Sequence, residues 1–280
     1  MQNLPVIKLE GDLYTDYSGI KRLFNFYHSA SEYSNITIYI DFYDLNWIDA
    51  NLCALLQSML YKLNIENKLL FSADLNYISQ KFNVLFRNGF MPNENNIIDE
   101  NKSVIVLKNF LSSDKVGFIN YVENELLENR GMPKFLDDAK NLIIDSLIEL
   151  FNNIDIHSQT EYPFFVCGQY YPKQKKVVFS MVDLGVGFLP AINKKTFGEV
   201  VCSLEAIKWA LEKGKTTKVD SPGGLGLYDL HSYCKKNKGA IQIVTGDVYW
   251  DSDLENTIFD CRKFIQPYFG SIINLFFDCN

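Results

Sequence analysis

Two kinds of hydrophobic pattern divide the chain. From residue 6 to about residue 110, short apolar runs at 6–9, 36–42 and 69–72 alternate with amphipathic stretches at 17–33 and 52–63. Strand-length runs followed by helix-length ones predict an α/β layer with helices packed on a sheet. Residues 112–134 are more polar, carry Glu123, Glu125 and Glu128 on a short expected helix, and include Asn129-Arg130-Gly131-Met132-Pro133. Glycine and proline in a polar stretch predict a connection between domains.

Residues 135–154 have a helical period. Ile144, Leu147, Phe151 and Ile154 recur at spacings of three, four and three, while Ser146, Glu149 and Asn153 share the opposite side. Strands are expected at 164–170 and 176–182, joined by a hairpin through Tyr171-Pro172-Lys173-Gln174-Lys175. Helices at 204–212 and 225–236, a polar loop at 214–222, and strands at 240–245 and 271–277 complete the pattern. The expected class is α/β: an N-terminal α/β domain over 1–110, a helical connection over 111–134, and a C-terminal α/β two-layer sandwich over 135–280.

Composition narrows the function. The hydrophobic content of 47% suffices to bury a core, and the formal net charge is −7 with no basic run. An electrostatic footprint for nucleic acid or anionic lipid is therefore missing. No apolar run approaches the roughly 20 residues that span a bilayer, and the first residues lack a signal-peptide layout, so a cytoplasmic location is expected. The six cysteines are scattered without the close pairs of zinc or redox sites, and read as reduced thiols. Three separated histidines, His28, His157 and His231, cannot build a metal cage, so any metal is expected to arrive with a ligand.

Three segments carry candidate chemistry. Glu149 and Asn153 stand four residues apart on one helix face, about 6 Å from each other, so a carboxylate and an amide oxygen converge on one volume. The other reading of the pair is a solvated polar face. His157 extends the same line by four residues. Asp183-Leu184-Gly185-Val186-Gly187 closes an apolar strand and joins a carboxylate to two glycines in a sharp turn, which is either a simple Asp-Gly turn or the floor of a purine site. Gly223-Gly224-Leu225-Gly226-Leu227 opens a helix, where backbone N–H groups and the dipole can meet phosphate. Gly214-Lys215-Thr216 imitates a phosphate-binding P-loop, but Trp209 stands where that motif needs glycine.

In this order, a helix with Glu and Asn, a strand ending in Asp-x-Gly-x-Gly, a polar loop and a Gly-x-Gly helix start, the chain resembles the GHKL or Bergerat-fold ATPases. That group includes gyrase-type, mismatch-repair and histidine-kinase ATP sites. The run Glu149-Leu-Phe-Asn-Asn153-Ile-Asp-Ile-His157 is most similar to the anti-sigma-factor serine kinases. The resemblance implies ATP and Mg²⁺. Asn153 would be the metal ligand, Glu149 would orient or deprotonate the attacking water or hydroxyl, and Asp183 would accept the adenine amine. Gly185 and Gly187 would let the backbone lie against the base, and Ser271 would stand where the group has a threonine. A lid over 213–222 would offer Lys213, Lys215, Lys218, Thr216 and Thr217 to the phosphates, and the N–H groups of Gly224, Leu225, Gly226 and Leu227 would receive them.

The N-terminal half carries Ile40-Asp41-Phe42 and Trp47-Ile48-Asp49-Ala50-Asn51-Leu52-Cys53-Ala54, which resembles the strand and helix start of STAS domains, the anti-sigma-factor antagonist fold. Those proteins present a phosphorylatable serine where this chain has Asn51, so the resemblance implies a docking surface or fixed mimic. The expected function is a Mg-ATP-binding ATPase or serine/threonine kinase in a partner-switching system with a STAS or antagonist-type regulatory protein. The alternative is a nucleotide-gated interaction switch with little turnover. A complete histidine kinase is disfavoured, because 112–134 holds no phosphoacceptor histidine. Homodimerisation is left open.

Overall fold

The computed structural model describes residues 4–92, 97–157, 159–217, 226–255, 257 and 261–279, with residues 155–157 described by backbone alone. Lys218, Gly223, Gly224 and Leu225 lie outside the described residues, as does the side chain of His157.

The N-terminal part runs β1 (Val6–Lys8), β2 (Gly11–Leu13), α1 (Tyr17–Ser31), β3 (Thr37–Asp41), β4 (Leu45–Ile48), α2 (Cys53–Asn67), β5 (Leu70–Ser72), α3 (Leu75–Lys81) and α4 (Val84–Arg87). Strands β1, β3 and β5 form a parallel sheet in that order, and β2 pairs with β4, also parallel. The Asp16 side chain starts α1 by accepting the Gly19 N–H at 2.8 Å, which satisfies one orphan donor of the first turn.

The second part runs β6 (Val104–Phe110), α5 (Lys115–Tyr121), one π-helical segment (Val122–Leu127), α6 (Asp137–His157), β7 (Phe164–Tyr171), β8 (Lys176–Asp183), α7 (Leu189–Lys195), α8 (Ser203–Ala210), α9 (Gly226–Lys236), β9 (Ala240–Asp251) and β10 (Cys261–Asp278). Its five strands pair antiparallel in the order β6-β7-β8-β10-β9. The fold is thus mixed α/β with one parallel and one antiparallel sheet system. Among the described residues no helix is long and apolar enough to cross a membrane.

Alternation along these strands supplies two apolar faces. One face meets α5, the π segment, α6 and α9: Phe118, Leu126, Leu147, Phe151 and Leu230 pack with Val166, Phe179, Ile243 and Leu275. The other face is covered by the N-terminal part, where Ile20, Leu23 and Phe24 of α1 and Leu56 and Met59 of α2 share a core with Phe165, Val182, Val244 and Ile272. Helices α1 and α2 therefore lie between the small parallel sheet and the large antiparallel one.

Two sequence expectations shift. Strand β6, inside the span assigned to the N-terminal domain, pairs with β7 of the large sheet. Residues 111–134, expected as a connection, bury Phe118, Tyr121, Leu126 and Leu127 in the core beneath α6. The physical reason is the same in both cases: hydrophobic alternation reports that a segment is half-buried but not which partner buries it. The last strands are also longer than expected, because β9 and β10 continue beyond 245 and before 271 with register shifts between Lys263 and Ser271.

A line of buried polar groups crosses the junction of the two parts. Asn51 Nδ2 donates to Ser180 Oγ at 2.8 Å, and Ser180 Oγ donates to Asn274 Oδ1 at 2.6 Å. Asn274 Nδ2 donates to Gln242 Oε1 at 3.3 Å, and Gln242 Nε2 donates to Asp251 Oδ2 at 3.1 Å. Each group in the line is a donor to the next, the arrangement in which hydrogen bonds polarise one another. Asn51, at the position where the STAS resemblance puts a phosphorylatable serine, is fully buried. It faces the protein's own sheet.

Candidate functional site

A cleft opens on the helical side of the large sheet, between α6, α7, the end of α8 and the start of α9. Its cavity volume is about 110 Å³. Glu149, Asn153, Asp183, Gly187, Lys215, Thr216, Leu227 and Ser271 all line it. The rest of its wall is largely apolar, with Ile154, Phe188, Ile192, Trp209 and Ile273 among the contributors.

The floor is built by strand register. Asp183, at the end of β8, stands opposite Ser271 of β10, and Ser271 stands opposite Thr245 of β9. Antiparallel pairing thus brings three polar side chains from distant positions into one row. Asp183 is 5% exposed. Its Oδ2 accepts the Ser271 hydroxyl, and its Oδ1 accepts the Gly185 N–H at 2.8 Å. Burial pushes the Asp183 carboxyl above the usual range, and the bonds from Ser271 and Gly185 pull the other way.

The turn after Asp183 has its own support. Gly187 has φ +73°, and a Cβ there would lie 2.4 Å from Thr245 Oγ1, so both backbone conformation and space require glycine. Thr245 Oγ1 accepts the Phe188 N–H at 3.0 Å, which pins the turn against the sheet. Gly185 does not line the cleft; its N–H serves the Asp183 carboxylate. Of the two glycines read as base contacts, Gly187 alone lines the cleft.

The opposite wall is helical. One turn of α6 separates Glu149 from Asn153, and both face the cleft. Glu149 Oε2 accepts the Gly226 N–H at 2.6 Å, tying α6 to the first residue of α9. Leu227 follows on the cleft wall. Lys215 lies 5.8 Å from the Trp209 ring centre and 3.7 Å from a Glu212 oxygen. Trp209, whose identity argues against a P-loop, and Thr245 are among the residues whose part in this site the sequence reading missed.

A divalent cation fits this wall in one way. Among the described residues no group of three or more His, Cys, Asp or Glu could hold a metal. Asn153 and Glu149 line the cleft together, so a cation held through Asn153 would take most of its coordination from a ligand's oxygens and water. The chain matches no known protein-family model, no curated protein and no solved structure.

Proposed function

We propose that the cleft binds an adenine nucleotide with Mg²⁺ and that the second half of the chain is a GHKL-type ATP-binding unit. The observation that carries this reading is the convergence of Asn153 and Asp183, from α6 and the end of β8, on one cleft. A carboxylate ringed by apolar side chains recognises an amine-bearing flat heterocycle. The Asp183 oxygens keep accepting capacity beyond the bonds from Ser271 and Gly185. Gly187 lets the backbone approach the base face, and Ile154, Ile192 and Ile273 supply apolar contact.

The phosphates then point toward α9 and the 211–217 segment, where Lys215, Thr216 and Thr217 line the cleft. A helix N-terminus and a lysine are both suited to anions. Mg²⁺, held through Asn153, would neutralise charge on the phosphates. Glu149 stands one helical turn away, in place to orient a water or a hydroxyl. On this reading the protein is an ATPase or a serine/threonine kinase of the cytoplasm, within a partner-switching system.

The proposal extends to a STAS-type N-terminal layer on its sequence runs alone, with Asn51 turned inward. A second reading, a nucleotide-gated interaction switch, is favoured by the Glu149–Gly226 bond, which engages the expected base with a backbone amide. ATP turnover by the wild type and by Glu149→Ala separates the two. Turnover lost in the variant with ATP binding kept supports the enzyme. Equal slow rates in both support the switch.

A further inference from the structure

Glu149 and the amides that open α9 have separate assignments in a phosphate-handling site: one positions the nucleophile, the other receives the anion. The structure joins them. The Gly226 N–H donates to Glu149 Oε2 at 2.6 Å, a contact between a backbone donor and a carboxylate. The helices also touch at this point, because a Cβ on Gly226 would lie 2.7 Å from Glu149 Cβ and 3.1 Å from the Ser146 carbonyl oxygen. A carboxylate sits on this N–H for the same physical reason that a phosphate would. The first amides of a helix have no intrahelical acceptor and share the positive end of its dipole. One N–H cannot serve both anions fully, and two anions in that volume repel each other.

We infer that Glu149 is a latch on the phosphate end of the cleft. Its carboxylate holds the first amide of α9, and a bound nucleotide's phosphate displaces it from that amide; the displaced carboxylate then turns to orient the nucleophile. The latch rests on the nucleotide reading above and adds its regulation. Phosphate arrival and base release become one event, so the base is engaged elsewhere whenever the phosphate subsite is unfilled. Adenosine, which reaches Asp183 and Gly187 without a phosphate, leaves the latch closed. The differential contact that any ligand-driven change requires includes the Gly226 hydrogen bond, exchanged between two anions.

The test uses the full-length protein labelled with ¹⁵N-glycine, with adenosine and ATP as probes and calorimetry alongside. ATP is expected to shift the Gly226 amide signal, and adenosine is expected to leave it in place. Glu149→Gln and Glu149→Ala should bind ATP about tenfold more tightly than the wild type, with adenosine affinity unchanged. The isosteric glutamine variant keeps the comparison valid if the alanine variant folds poorly. ATP binding that leaves the Gly226 amide unmoved, or equal ATP affinity in wild type and both variants, would overturn the latch while sparing the nucleotide reading. Failure of the wild type to bind either probe would overturn both.

Discussion

Asp183 and Ser271 face each other where β8 and β10 pair, and the serine hydroxyl donates to the carboxylate in a setting almost closed to water. The pair sets both the chemistry and the energetics of the cleft floor. A buried carboxylate costs free energy that hydrogen bonds only partly offset, which is why its pKa is raised despite the bonds from Ser271 and Gly185. A group kept in a costly state at the end of an apolar cleft is a candidate for ligand recognition.

Asp183→Asn should therefore separate stability from binding. An amide oxygen can accept the Gly185 N–H while the amide nitrogen donates to Ser271 Oγ, so the fold should keep its stability within about 1 kcal/mol or gain slightly. The same nitrogen then presents a donor to the adenine amine, and ATP affinity should fall by about 1–3 kcal/mol. Denaturant unfolding and calorimetry on the same preparation check the two halves.

The pH dependence follows from the direction of the shift. A carboxyl with a folded pKa above its unfolded value binds more protons folded than unfolded between those two pH values. Its contribution to stability therefore falls as pH rises through that window and is level above it. The stability of Asp183→Asn relative to wild type should grow in the variant's favour as pH rises from the ordinary carboxylate range toward neutrality. Nucleotide affinity of the wild type should run the other way and weaken as pH falls through the raised pKa, since a protonated Asp183 loses its charge-assisted acceptance. Urea melts and ATP titrations from about pH 4 to pH 8 test both trends.

Thr245 should act as a positioning residue. Its hydroxyl accepts the Phe188 N–H and lies against Gly187. Thr245→Val leaves that N–H without its acceptor, so adenosine affinity should drop by about 1–2 kcal/mol, while Thr245→Ser should restore it. A purely structural role would lower the melting temperature in proportion to affinity. Here the serine variant should recover binding even if it recovers only part of the packing lost with the methyl group.

The buried line from Asn51 to Asp251 makes a separate prediction about the junction. Asn51→Ala leaves Ser180 without its donor inside the core and should cost about 1–3 kcal/mol in urea unfolding. Because the two parts share one apolar cluster, unfolding should remain a single transition by fluorescence and by far-ultraviolet circular dichroism. Two resolved transitions would mean that the halves are independent.

Much of the site was legible in the sequence because its parts are local. The i, i+4 pair Glu149 and Asn153 and the Asp-x-Gly-x-Gly turn each announce themselves within a few residues. Thr245 was not legible, since its role depends on lying two strands from Asp183, and register across β8, β10 and β9 is a tertiary fact. The same holds for β6 and the buried 111–134 segment, whose local pattern suited either neighbour. Asn51 shows a further limit. Its position next to a helix start reads as exposed by analogy, yet the packing of α2 on β7 and β8 turns it into the core. Gly226 illustrates the converse: its place at a helix start was readable, but its engagement by a carboxylate 77 residues earlier was not.

The most direct measurement of the central claim is a calorimetric titration of the full-length protein with ATP, ADP and GTP, each with and without Mg²⁺. Binding of ATP and ADP, strengthened by Mg²⁺ in the wild type but not in Asn153→Ala, with GTP at least about tenfold weaker, is the predicted result. Equal binding of ATP and GTP, or no nucleotide binding at all, would contradict an adenine site built on Asp183.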